Sequence, residues 1–213
     1  MVLTIATAFA AKGYVFTQKY IGVSNTNITV SWYVTENNCK MKMIFGNGQL
    51  NSTSWFLPDM EGGQLLSYNE GPVPPGVQKA YYKLPIDKLR VNSSNEVTRI
   101  AVQKTSESKE IGGLTCEKYI IKTNKTETEV WVTKKFSPAF YRYYPFFKDH
   151  AALAGLSEEK IAGFPIESVT KDLTGKTISA YQFISVNEAE LSDADFKVPA
   201  EYKSAEEIQQ NSK

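Results

Sequence analysis

The sequence predicts a mainly β protein: a curled antiparallel sheet, or half-open β-barrel, with short helices covering the concave face. Three observations predict it. Apolar and polar residues alternate with period two through most of the chain. The alternating runs are short, close together and separated by Gly-, Asn- and Pro-rich turns, as hairpins require. Helical signals are few and cluster in one insertion after residue 136. The chain has 213 residues, 42% hydrophobic and 22% charged, which suits a single domain with a sizeable core. A net charge of +1 gives no basic face for nucleic acid. No apolar run approaches the roughly eighteen residues of a spanning helix.

The first residues, MVLTIATAFA, are apolar and small and end in Ala8-Phe9-Ala10. They read either as the remnant of a secretory signal, over 1–13, without a positive n-region, or as a buried first strand. The remaining boundaries are one domain over 14–203 and a tail over 204–213. In NITVSWYVT, Ile28, Val30, Trp32 and Val34 share one face of a strand, and Thr29, Ser31, Tyr33 and Thr35 the other. In CKMKMIF, Met41, Met43 and Phe45 oppose Lys40 and Lys42, and Gly46-Asn47-Gly48 turns the chain. Shorter strands follow around Leu65 and over 79–84, separated by NEGPVPPG. EVTRIAVQKT is a further strand. LTCEKYIIKT and ETEVWVT form the clearest hairpin, and FPIESVTK and TISAYQFISV form another around DLTGK.

The insertion carries SPAFYRYYPFFKDH, six aromatics beside the only histidine, His150. Each aromatic can bury about 150–250 Å², so a few suffice to plug a sheet. The rest are left for solvent, a ligand or a partner. Pro145 excludes one long amphipathic helix. Asp149 and Ser157 are candidate N-caps, and Ser192 and Asp195 have capping-box spacing.

Catalytic signals are sparse. His150 beside Asp149 fits a helix start better than a triad, and there is no Gly-x-Ser-x-Gly elbow. Glu127 and Glu129 stand about 7 Å apart on one strand face, near a retaining-glycosidase separation but also what a solvent-facing row gives. No catalytic residue, metal or cofactor is expected. Cys39 and Cys116 are either buried thiols or one disulfide closing a long loop, which would contribute about 4 kcal/mol.

Four segments come in a characteristic order: IGGLTCEKYIIKT, ETEVWVTKKFSP, AGFPIESV and LSDADFKVPAEYK. The pattern is Gly-x-x-Cys-x-Lys-Tyr, Val-Trp-Val-Thr, Gly-Phe-Pro and Phe-x-Val-Pro with a nearby Tyr. Here these are Gly113, Cys116, Lys118, Tyr119, Val130–Thr133, Gly163–Pro165, Phe196, Val198, Pro199 and Tyr202. This resembles a family of Gram-negative envelope proteins catalogued only as a domain of unknown function and similar to the periplasmic lipoprotein-carrier (LolA/LolB-like) fold. The resemblance implies an exported, periplasmic or secreted protein with no assigned catalytic residues. The function expected is non-enzymatic binding of a lipid or other hydrophobic molecule in the concave face. Trp32, Met41, Met43, Val132 and Phe164 would line the site, and Phe140, Tyr143, Tyr144 and Phe147 would roof it. The alternative is an interaction module with a filled core, whose aromatic insertion docks on another envelope protein.

Overall fold

The computed structural model describes residues 11–22, 27–46, 51–72, 77–86, 99–135, 142–143, 146, 155–156 and 159–210. Twelve strands form one open, curled and almost wholly antiparallel sheet. In chain order they are β1 (Ala11–Gly22), β2 (Asn27–Val34), β3 (Cys39–Gly46), β4 (Asn51–Asp59), β5 (Gln64–Glu70), β6 (Ala80–Pro85), β7 (Arg99–Ile111), β8 (Leu114–Thr123), β9 (Thr126–Thr133), β10 (Phe164–Asp172), β11 (Thr177–Leu191) and β12 (Lys203–Ser204). The spatial order is β12-β6-β5-β4-β3-β2-β1-β11-β10-β9-β8-β7. Two meanders, β1 to β6 and β7 to β11, thus meet along the long β1–β11 pair.

Each predicted hairpin forms. Gly112 and Gly113, at φ +56° and +77°, make the two-residue link between β7 and β8, where both central residues need positive φ. Thr123 closes the β8–β9 turn, its hydroxyl accepting from the amides of Lys125 and Thr126. Asp172 closes the β10–β11 turn by accepting from the amides of Thr174 and Lys176. β3 pairs with β4, while the predicted Asn47-Gly48 turn lies outside the described residues.

The alternation in β2 is obeyed: Ile28, Val30, Trp32 and Val34 are all buried. Register carries that face sideways. Trp32 opposes Met41, which opposes Phe56; Val30 opposes Met43; Ile28 opposes Phe45. On the other arm Val130 opposes Tyr119 and Ser168, and Thr128 opposes Ile121. One core cluster joins the two arms through Phe16, Trp32, Phe164, Val130, Val132 and Ile121. Phe16 stacks on Phe164 with ring centroids 4.3 Å apart, and Trp32 meets Phe164 edge-on at 5.7 Å. Register shifts at Thr17/Gln18 and at Pro165/Glu167 bend the strands where this cluster sits.

One expectation changes here, and one open alternative resolves. Helices over the concave face are not shown. Among the described insertion residues there are only single-turn fragments, at 142–143, 146 and 155–156. The insertion instead contributes individual side chains: Tyr143, Phe146 and Leu156 are buried in the core cluster, and Gly155 packs on Ile121. A proline at 145 and crowded aromatics suit such point insertion better than a continuous helix. The Cys39–Cys116 disulfide is not formed, and both residues are free, buried thiols. They lie on β3 and β8, with five strands between them in the sheet order, so they could meet only across the hollow. Burial pushes the Cys116 thiol up to about 11.

At the chain ends, residues 11–13 of the proposed signal remnant are part of β1 and pair with Leu191, Glu190 and Ala189, while 1–10 lie outside the described residues. The segment read as a tail begins with helix α1 (Ala205–Gln210), capped reciprocally by Ser204 and Glu207.

Gly163 has φ +124°, and a Cβ there would lie 2.5 Å from the Thr133 carbonyl oxygen. Replacement by alanine combines backbone strain with a clash. Gly163→Ala is expected to lower stability by about 2–4 kcal/mol in urea unfolding, whereas Gly175→Ala, which meets no atom within 4 Å, loses only the strain part.

Candidate functional site

The clearest opening among the described residues is at one end of the curl. The β2–β3 turn, the β4–β5 turn, Tyr143 of the insertion and the strap from Phe196 to Tyr202 surround a cavity of about 590 Å³. This lies within the size range of small-molecule sites. Cys39 and Pro58 enter it from the concave side of the sheet. Leu57, Leu66 and Tyr81 enter it from the convex side, where they pack with Tyr68, Tyr202 and Val198.

The strap is held by its two ends. Ser192 and Asp195 form the predicted capping box, with the Ser192 amide and hydroxyl both 2.8 Å from the Asp195 carboxylate. Lys40 donates to the Asp195 carbonyl at 2.5 Å and lies over the rings of Tyr33, Trp55 and Phe196. Burial lowers the Lys40 pKa, and Asp195 opposes that shift. At the far end Tyr202 donates to the Asn69 carbonyl at 2.9 Å, and Lys203 donates to the Lys79 carbonyl at 3.0 Å, beside the parallel β12–β6 bridge. The closing Phe-x-Val-Pro pattern is thus a clip over β4 to β6.

Tyr143 supplies the opposite wall. It is buried at 3% exposure, and its hydroxyl donates to the Asn37 carbonyl in the β2–β3 turn. Burial, with the nearby Cys39 thiol, pushes its pKa up to about 12. Of the expected lining and lid residues that are described, Tyr143 lines this cavity, as does Cys39. Trp32, Val132 and Phe164 are core, and Met41 and Met43 are half-buried beside them. Phe140, Tyr144 and Phe147, like His150, lie outside the described residues.

The residue that sequence reasoning missed is Gln18. Its buried amide accepts from the Trp32 indole at 3.0 Å and donates to the carbonyls of Pro165 and Ile166 at 3.0 and 2.7 Å. A lone glutamine between two strand residues leaves no pattern to find it by.

The carboxylate pair has partners. Glu127 pairs with Lys122, and Glu129 stands between Lys118 and Lys171 at 2.9 and 3.3 Å. With Glu107, these residues form a ladder across β7 to β10 on the outer face. Trp131 lies in the same face, with Lys109 4.5 Å above its ring. Glu117, held by Lys104, Lys134 and Tyr119, titrates at about 2. Among the described residues no cluster of metal-ligating side chains gathers, and no helix is long and apolar enough to cross a membrane.

A family model described as Domain of unknown function (DUF4412) matches residues 20–202. The chain belongs to this family. No curated protein matches the sequence. The DUF4412 chain superposes on a chain of the Pseudomonas aeruginosa MucA/MucB complex with TM-score 0.51 and 10% identity, over 91% of its own length and 58% of the matched chain. An uncharacterised conserved protein from Thermus thermophilus matches at TM-score 0.49 and 11% identity, over 92% of this chain and 91% of the other. The first of these shows a shared fold.

Tyr143 and Cys39 line the same cavity, and the Tyr143 hydroxyl is bonded to the Asn37 carbonyl two residues before Cys39. Tyr143→Ala is expected to speed alkylation of Cys39 by iodoacetamide while leaving Cys116 protected, read by peptide mass spectrometry. Equal labelling of both thiols would report global unfolding instead.

Proposed function

We propose that this DUF4412 protein is a non-enzymatic module of the Gram-negative cell envelope that binds a lipid or other hydrophobic molecule through the mouth of its curled sheet. The observation that carries this reading is the cavity of about 590 Å³ between Tyr143 and the C-terminal strap. Cys39 and Pro58 connect it to the concave face. There Met41, Met43, Phe45 and Phe56 remain only half-buried along β3 and β4. Methionines suit an adaptable apolar wall. The glutamates that invited a hydrolytic reading are ion-paired with lysines, which supports a binding role over a catalytic one. Location in the periplasm or outside the cell follows from the family resemblance and belongs to the same proposal.

A second reading, an interaction module for another envelope protein, draws support from the fold shared with a chain of the MucA/MucB complex. In that reading the insertion docks through residues other than Tyr143, whose side chain is buried.

Native mass spectrometry of protein purified from a Gram-negative host, followed by solvent extraction, separates the two. Binding of an apolar ligand predicts a co-purifying amphiphile that Tyr143→Ala depletes. A ligand-free protein that takes up no added lipid, yet associates with an envelope protein, would overturn the first reading in favour of the second.

A further inference from the structure

We propose that the strap from Phe196 to Tyr202 is the movable wall of the mouth cavity, and that Lys40 fastens it. The inference rests on the proposed binding of an apolar ligand and names the element that admits it.

The walls of the cavity are held unequally. Cys39, Leu57, Pro58, Leu66 and Tyr81 stand on β3 to β6, within a continuous ladder of paired strands. The β2–β3 turn is closed by the Thr35 amide, which donates to the Asn38 carbonyl at 2.9 Å, and it also holds the Tyr143 hydroxyl. The β4–β5 turn is closed by Asp59, which accepts from the Gly62 amide at 2.9 Å. The strap differs. The Lys197 amide donates to the Ala194 carbonyl at 3.2 Å, and the Tyr202 amide to the Pro199 carbonyl at 3.0 Å, both within its own segment. Among the described residues, no hydrogen bond ties 196–201 to a strand, and Glu201 reaches only an ion pair of 3.6 Å with Lys79. A wall held this way moves outward without breaking the ladder.

The movement turns on two fixed points. At one end the Ser192–Asp195 box closes a single turn, and at the other Tyr202 bonds to Asn69 and β12 pairs with β6. Between them one buried polar side chain grips the strap. Lys40, 9% exposed, donates to the Asp195 carbonyl and stands 4.6 Å from the Trp55 ring, 4.8 Å from Tyr33 and 5.8 Å from Phe196. Trp55 and Tyr33 belong to the sheet and Phe196 to the strap, so the ammonium bridges the two. Asn38 adds only an exposed contact of 3.4 Å to Asp193. Phe196 also lines the cavity. A ligand that fills the cavity therefore presses on the ring that Lys40 holds, and release of that ring widens the mouth. Leu57 and Cys39 line the cavity yet are buried, so a chain running inward past them needs the wider mouth. Val198, packed on the Leu57, Tyr68 and Tyr202 cluster, draws the strap back.

The test compares the full chain with Lys40→Met and with the control Lys42→Met. Methionine keeps the packing among the rings and removes the charge and the hydrogen bond. Lys42 also lies over Trp55, at 4.9 Å, but pairs with Glu70 and not with the strap. Amide exchange read by mass spectrometry follows the strap, and stopped-flow fluorescence follows uptake of phenylnaphthylamine, an apolar dye. Lys40→Met is expected to speed exchange over 197–202 and dye uptake about tenfold each, with exchange in β8 and β9 unchanged. Lys42→Met should match the parent in both. Phe196→Leu weakens the same bridge from the strap side and should act in the same direction, so the test stands even where Lys40→Met does not fold. Unchanged strap exchange in Lys40→Met and Phe196→Leu would overturn the inference. Faster exchange with uptake at the parent's rate, or an equal effect of Lys42→Met, would overturn it too, and in each of these cases dye binding leaves the proposed function standing. No dye uptake by the parent or any variant would remove the proposed function and the inference together.

Discussion

A buried amide joins the two arms of the sheet. Gln18, on β1, holds the Trp32 indole of β2 on one side and two consecutive carbonyls of β10 on the other. In the sheet order β11 lies between β1 and β10. In a flat sheet those strands would stand two spacings apart, about 10 Å, beyond the reach of a glutamine side chain. The bonds close because the sheet bends there, with irregular register at Thr17/Gln18 and at Pro165/Glu167. The amide also satisfies carbonyls that such a bulge frees from the ladder, and each would cost about 1–3 kcal/mol if left buried and unpaired. Phe16, Trp32 and Phe164 then pack around it as one aromatic block.

The rest of the molecule follows from that bend. Curling brings the apolar face of β2 and β3 opposite that of β8 to β10, and Tyr143, Phe146 and Leu156 fill the space between them. At one end the curl stays open. The strap, fastened by Lys40 and Tyr202, crosses the convex face and forms one side of the opening, and Tyr143 forms the other. Outside, the lysine–glutamate ladder spans β7 to β10 and places charge along the edge strand β7, where Lys104, Glu107 and Lys109 discourage pairing with another chain.

Much of this was legible in the sequence because it depends on local rules. The alternation of Ile28 to Val34, the hairpin around Asn124 and the Ser192–Asp195 cap each declare themselves within a few residues. The closing Phe196-to-Tyr202 pattern was visible as a motif, but its role as a clip was not, because Lys40 and Asn69 meet it only through the fold. Gln18 was invisible for the same reason: its partners lie 14 and about 147 residues away. The aromatic insertion promised a helical lid, and the described part of it instead shows separate anchors, since side-chain burial there outweighs helix propensity. The cavity at the strap could not be foreseen, because its walls come from turns and a clip that no periodicity connects.

The most direct measurement is a spin-label distance across the curl. Labels on cysteines at positions 83 on β6 and 122 on β8, both exposed on the outer face, in a chain whose two buried native thiols are replaced by serine, report how far the two arms stand apart. Gln18→Met keeps the volume of the side chain and removes its amide. A narrow distance distribution in the parent that widens and lengthens in Gln18→Met, with secondary structure retained, is the result this account predicts. An unchanged distribution would contradict it, and the bend would then have to come from strand packing alone.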